Sequence, residues 1–393
     1  MMKSDTKDKL NICVVSLRPF YPEEEEAPLT NFLQILESVS NKIYVICGQG
    51  YTGYKLSTKI HLTNIKRATR RKSPLIKYLG YSLAQLRYSL QLFKLSRNID
   101  VVVFYLAGVF VLPAFTAKLL RKKVVAVALG LDSSGAKIDY GKNLLGFSGL
   151  FFSSVFRILE KIMFSLSDQI AAESESAVEF LGLGRYKNKV FINGGMYIDT
   201  HFLTPKRGVA ERGKIIGYAG RLNEVKGIRN FVKSVPLILK EHNDAKFLVG
   251  GDGPLFDGIK EELKDNKLDG IVELCGWISH DGELPDYLNR LKLLVVPSYS
   301  EGLPGIVQEA MACGTPVLAT SVGGVPDLIK NGETGFIMEN NSPECIARNA
   351  ISALEHPRLD EITQNARRLI EREYNYDVMV GKCREALGRL IKT

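Results

Sequence analysis

The strongest constraint on the fold is an alternation that runs the length of the chain. A short apolar run rich in Val and Ile is followed by a stretch with helical spacing, then by another such run. In the first half the runs are NICVVSL (11–17), KIYVICG (42–48), DVVVFYL (100–106), KVVAVAL (123–129), DQIAAES (168–174) and KVFINGG (189–195). Helical patterns lie between them, the longest at 74–97 and 144–166. The polar segment 196–214, with Pro205 and two glycines, reads as a linker. The alternation then restarts with KIIGYAG (214–220), KFLVGGDG (246–253), IVELCGW (271–277), LKLLVVPS (291–298), TPVLATS (315–321) and GFIMEN (335–340). Strands that alternate with helices pair in parallel, so two such runs predict an α/β chain of two doubly wound, Rossmann-like domains facing across a cleft. A length of 393 residues suits two domains of roughly 150–200 residues better than one core.

Composition and charge narrow the class. Apolar content of 45% and charged content of 24% are those of an ordinary globular protein. Six scattered cysteines with no Cys-x-x-Cys pair predict reduced thiols, a cytoplasmic chain and no structural zinc. The polar start MMKSDTKDKL lacks the apolar core of a signal peptide. One of the two longest uncharged runs, 101–117, contains Pro113 and falls short of the ~20 residues that span a bilayer. Residues 1–203 carry 27 Lys and Arg against 16 Asp and Glu, whereas residues 204–393 carry 25 against 27. From Ser38 to Ile99 there are twelve basic residues and no acid, including KRATRRK at 66–72. Such a one-signed field attracts phosphates, whether on lipids, nucleic acid or small substrates. The run holds no recognition module for nucleic acid, and its aromatic residues fall within a helical apolar pattern. The expected partner is therefore an anionic membrane surface, met reversibly through 74–97 and 66–72, with 144–164 as an added apolar element, although packing of both helices against the sheet would leave the same apolar pattern.

The chemistry concentrates in SYSEGLPGIVQEAMACGTPVLATSVGGVPDLI, from Ser298 to Ile329. The run before it reads as a buried strand. Pro304 suits the first turn of a helix, and Gly314 ends that helix. Glu301 then sits on the loop and Glu309 about two turns into the helix, both at the carboxyl edge of a parallel sheet, where ligands bind. Carboxylates repel phosphates but accept hydrogen bonds from sugar and ribose hydroxyls. Two ordinary solvated glutamates would leave the same trace. Upstream, GYAGRLNEVKG (217–227) places Gly220 at a strand end, Arg221 on the turn and Lys226 before the next helix. These two cations can grip a diphosphate from two sides.

Taken together, GYAGRL…KG, GGDGP, VPS…EGLP…EAMACGTPVLAT…GG and NGETGF, in this order, resemble the family-four glycosyltransferases, also called glycosyl transferases group 1. Glu301 and Glu309 look like that family's two glutamates separated by seven residues. The resemblance covers about 214–340 most specifically, and FINGGMYIDTHFLTP matches the family's approach to its linker. It implies the GT-B fold, with an acceptor-binding domain at 1–203, a nucleotide-sugar domain at 204–370 and a C-terminal helix, 371–393, crossing back. It also implies a role for each site residue. Arg221 and Lys226 would hold the donor diphosphate, Glu309 the ribose, and Glu301 the transferred sugar. Gly220 and the amides around Gly302, Leu303, Gly305 and Ile306 would line the site, with the base near Trp277 and Ile278. The co-substrate would be a UDP- or GDP-linked sugar, transferred with retention to a lipid-linked or other glycan acceptor in cell-envelope synthesis, with no bound cofactor.

Two departures stand out. The loop after the first strand carries four glutamates, 23–26, where relatives place glycines near phosphate, and VAVALGLDSSG lacks the His that many relatives carry there. Asp132 is the ionisable group nearest that position and the candidate contact to acceptor or sugar, although an Asp capping a turn would look the same. These departures support an alternative reading, a sugar-nucleotide-binding protein that has lost turnover; the glutamate spacing argues against an epimerase. No Asp-x-Asp and no His/Cys cluster with ligand spacing occurs in the chain. Transfer is accordingly expected to proceed at full rate in excess chelator. Loss of activity in EDTA, restored by magnesium or manganese, would count against this expectation.

Overall fold

All twelve apolar runs form strands, and every strand pairs in parallel with its neighbours. The computed structural model describes residues 10–19, 27–48, 57–65, 74–105, 110–128, 146–280 and 282–392. The first sheet contains β1 (Asn11–Pro19), β2 (Lys42–Gly48), β3 (Ile60–Ile65), β4 (Val101–Tyr105), β5 (Lys123–Ala128), β6 (Gln169–Ala172) and β7 (Val190–Ile192). Their order is β3-β2-β1-β4-β5-β6-β7. The second sheet contains β8 (Ile215–Ala219), β9 (Lys246–Gly250), β10 (Val272–Gly276), β11 (Leu293–Val296), β12 (Val317–Thr320) and β13 (Phe336–Met338). Its order is β10-β9-β8-β11-β12-β13. In each sheet the strand order reverses once, between β1 and β4 and between β8 and β11. That reversal opens a crevice at the carboxyl ends of the central strands.

Strand β3, sequence IHLTNI, has no counterpart among the expected runs. It lies at the edge of its sheet and is only partly buried, so it lacks the continuous apolar character of strands covered on both faces. Inner strands show that character fully: Val14 pairs with both Val45 and Val103, and all three are buried.

The chain forms two compact units. One comprises the described residues up to Glu173, Leu181–Gly195 and the described residues from Met379 on; the other comprises Ser174–Phe180 and Met196–Val378. The segment 196–214, read as a linker, is built into the second unit, where Ile198, Leu203, Val209 and Arg212 are buried. Its sparse apolar residues are anchors in an otherwise polar stretch. Helices cover both faces of the second sheet. Ile228–Leu239 and Pro343–Leu354 pack on one face. Glu283–Arg290 and Gly305–Ala312 pack on the other, and Leu359–Glu373 contributes to both clusters, Leu359 and Ile362 to the first and Ala366 and Ile370 to the second.

Arg212 ties that second layer together. Its Nη1 donates to the carbonyls of Leu288 (3.3 Å) and Leu291 (3.0 Å) and to the Thr315 hydroxyl (2.8 Å), and its Nη2 donates to the Cys313 carbonyl (2.8 Å). These carbonyls lie at the C-terminal ends of two helices, where unpaired oxygens concentrate negative charge. Burial pushes the guanidinium's pKa down, but its carbonyl partners keep the cation matched. Arg212→Met should lower the unfolding free energy of the second unit by ~2–4 kcal/mol in a urea titration, because it strips a charged donor from several buried acceptors. An unchanged midpoint would show that these carbonyls find other partners.

Candidate functional site

The site forms at the reversal between β8 and β11. Asn223 caps the 3-10 turn Glu224–Lys226 by accepting the Lys226 N–H at 3.0 Å. Gly227 follows with φ +71°, and a Cβ there would lie 2.1 Å from the Pro297 carbonyl oxygen. Only glycine allows the loop after β8 to lie this closely against the end of β11. The Tyr299 N–H donates to the Val225 carbonyl at 2.8 Å, joining the same two loops.

This apposition brings Lys226 and Glu301 together. The Lys226 ammonium lies 2.7 Å from each Glu301 carboxylate oxygen. The Glu301 side chain is 5% exposed and that of Lys226 33%. Dehydrating a carboxylate so fully is unfavourable unless a cation accompanies it, and Lys226 supplies that charge. The loop after β12 holds Glu301 from the other side. Gly323 has φ +55°, and a Cβ there would lie 2.0 Å from the Glu301 carbonyl oxygen. The Gly324 N–H donates to Gly302 O at 2.7 Å, and the Thr320 hydroxyl donates to Ser298 O at 2.6 Å. Beneath the pair, burial and then the charge of Glu301 push the Tyr218 phenol up, so it stays protonated and donates to the Arg221 carbonyl at 3.0 Å.

The helix Gly305–Ala312 begins after Pro304, which is extended (ψ 113°) and serves as the cap rather than as part of the first turn. At the other end Gly314 stops the helix as expected. Its N–H bonds Met311 O at 3.1 Å, and the Thr315 N–H bonds Ala310 O at 2.9 Å. Glu309 is the fifth helical residue, a little over one turn in rather than two. It is buried, and His280 Nδ1 lies 3.4 Å from its Oε1. His280 was missed from sequence. Its signal was its place on the loop after β10, two residues beyond Ile278.

The remaining candidates are spread around these anchors. Gly220 and exposed Arg221 follow β8. Leu303 is buried in the core on one face of the sheet, and Gly302, Gly305 and Ile306 are half-buried at the head of the helix. Ile278 packs onto Gly250 at the end of β9, whereas Trp277 is exposed. Asp132, the glutamates at 23–26 and the basic run 66–72 lie outside the described residues. Among the described residues no group of His, Cys, Asp or Glu is placed to hold a metal ion.

Because Lys226 and Glu301 neutralise one another, their substitutions should not add. Lys226→Met alone, which strands a buried carboxylate, should cost more stability than Lys226→Met with Glu301→Gln. The double-mutant cycle should return a coupling of at least ~1 kcal/mol. Additive losses would remove the pair as a structural element.

Residues 199–374 match the family described as glycosyl transferases group 1. The N-acetyl-alpha-D-glucosaminyl L-malate synthase of Bacillus anthracis is 26% identical across 72% of this chain and 73% of its own length. The capsular polysaccharide biosynthesis glycosyltransferase CapM of Staphylococcus aureus is 30% identical across 42% of this chain, a match spanning 43% of CapM. Among solved structures, Anabaena HepE in complex with UDP superposes with a TM-score of 0.72 at 15% identity, covering 97% of this chain and 100% of HepE. Sucrose-phosphate synthase from Thermosynechococcus elongatus gives 0.78 at 16% identity, covering 98% and 100%. The fold is GT-B, and the region 199–374 within it is similar to the glycosyl transferases group 1 family.

Proposed function

We propose that the protein transfers a sugar from a nucleoside-diphosphate donor, with retention and without a metal, to a lipid-linked or other glycan acceptor at the cytoplasmic membrane surface. The observation that carries this reading is the Lys226–Glu301 pair at the β8/β11 crevice, with its carboxylate buried and its ammonium part-exposed. An ammonium has three N–H donors, and the carboxylate engages two of them, which leaves one for a phosphate oxygen. Arg221, exposed on the same loop, supplies the second cation. Charge then builds on the departing diphosphate beside the Arg221 cation and the remaining N–H donor of a Lys226 whose own charge Glu301 balances, which favours the transition state over the ground state. The head of the Gly305–Ala312 helix, with the Gly302, Leu303, Gly305 and Ile306 amides, adds N–H donors on the phosphate and sugar side. Glu309 takes the ribose hydroxyls, Glu301 the sugar hydroxyls, and Ile278 the base. The binding of UDP by HepE supports a UDP-linked donor over a GDP-linked one.

The decisive experiment combines binding with turnover. UDP should raise the melting temperature more than GDP or ADP at equal concentration. Acceptor-dependent UDP release should fall about 10²–10³-fold in Arg221→Ala without loss of fold. Stabilisation by UDP without any release across a panel of UDP-sugars and lipid or glycan acceptors would favour the alternative suggested by the acidic loop at 23–26, a binding protein without turnover. No response to any nucleotide would overturn the donor-site assignment.

A further inference from the structure

Three helices of the first unit carry large apolar side chains on their outward faces. In Pro74–Leu95 the side chains turned inward include Leu92, Gln85 and Tyr88, the last donating to Ser16 O at 2.9 Å. Leu83, Leu86, Leu90 and Phe93 point to solvent, with Leu90 and Phe93 60% and 64% exposed. Their spacing of three, four and three residues is one face of the helix. Val111–Leu119 repeats the arrangement, burying Pro113, Ala114 and Ala117 while exposing Leu112, Phe115 and Leu119. Gly146–Leu166 exposes Ile158 and Ile162 while burying Glu160 with Met163 and Phe164. A helix whose outer face meets only water carries polar residues there.

The three stripes belong to one surface. Right-handed crossovers from β3 to β4, β4 to β5 and β5 to β6 place all three helices on the same face of the first sheet. The helix Val111–Leu119 packs against both of the others. Nine of the fifteen exposed large apolar side chains among the described residues lie on these three helices, so the clustering is not the scatter that any surface shows. The charges on the face have one sign. Arg87, Lys94, Arg157 and Lys161 are exposed beside the stripes, and the single acid within the three helices is the buried Glu160. From Ser38 to Leu131 the chain carries sixteen basic residues and one acid, Asp100.

We infer that this face docks on an anionic lipid surface, with the Leu and Phe stripes entering the headgroup boundary and the basic residues meeting lipid phosphates. The combination of apolar stripe and flanking cations matches the two layers of such a leaflet. A second copy of the chain is the poorer fit, because a two-fold contact would set the same cations against each other. Among the described residues no helix is long and apolar enough to cross a membrane, which leaves surface docking as the mode. The inference rests on the first unit and is independent of the donor-site reading.

The test is co-sedimentation of the full chain with vesicles of phosphatidylcholine alone or mixed with phosphatidylglycerol, at low and high salt. Wild type should bind the anionic vesicles at least about tenfold more tightly. Leu86→Asp with Leu90→Asp should lose about tenfold at both salt concentrations, and Arg87→Glu with Lys94→Glu should lose it mainly at low salt. Should a variant melt early, Phe93→Trp gives a second readout. Its emission should shift to the blue on anionic vesicles beyond any change at the native Trp277. Equal binding to both vesicle types, unchanged binding by the leucine variant or no shift of the new tryptophan would overturn the inference. So would a concentration-dependent dimer that the leucine variant dissolves, since the face would then join two copies of the chain.

Discussion

The second unit depends on one electrostatic accommodation: a carboxylate almost fully removed from water, matched by one lysine. The net value of such a pair is small, because dehydration offsets much of the attraction, but either partner alone is costly. This asymmetry makes the pair a positioning device. Three loops from three strands have to meet at one point for Glu301 to find Lys226, and the backbone contacts that let them meet admit no side chain at Gly227 or Gly323. The glycines therefore set the distance and the ion pair sets the orientation. These contacts within the fold set the shape of the crevice.

The second sheet was legible because its inner strands are covered on both faces, and such strands write themselves as unbroken runs of Val, Leu and Ile. Leu293–Val296 and Val317–Thr320 show this. The edge strand β3 escaped because half of its surface faces solvent, and IHLTNI then reads as neither strand nor helix. The segment 196–214 misled for a related reason: a few buried anchors, Ile198 and Val209 among them, carry no periodicity when spaced irregularly. Arg212 was the least legible of all, since nothing in sequence separates a guanidinium that caps two helices from one that lies in water.

At the site, residue types were readable and pairings were not. Glu301, Glu309, Lys226 and Arg221 could be chosen from chemistry and spacing. That Glu301 faces Lys226 rather than Glu309, and that Glu309 has His280 as its neighbour, depends on strand order. Residues 75 positions apart, such as Lys226 and Glu301, become neighbours only because β8 and β11 are adjacent where the order reverses. Local sequence does not encode that adjacency. It follows from the right-handed winding of successive crossovers on each side of the first strand.

The two units place their apolar residues differently. The helices of the second unit bury their apolar stripes, as Ile228–Leu239 does with Ile228, Phe231, Val232, Val235 and Ile238. In the first unit, Val111–Leu119 meets its sheet with Pro113, Ala114 and Ala117, so close approach replaces bulk and its larger side chains are left facing outward. The first sheet's core is still supplied by its strands, by the helix Ala27–Val39, whose Leu29, Leu33 and Leu36 are buried, and by Leu92, Met163 and Phe164 on the inward faces of the outer helices. The exposed leucines and phenylalanines are thus surplus to that core. In water each is an unfavourable contact that a polar residue would remove at little cost to packing. A surplus arranged in register on three adjacent helices, with cations beside it, has its physical rationale in what lies outside the chain.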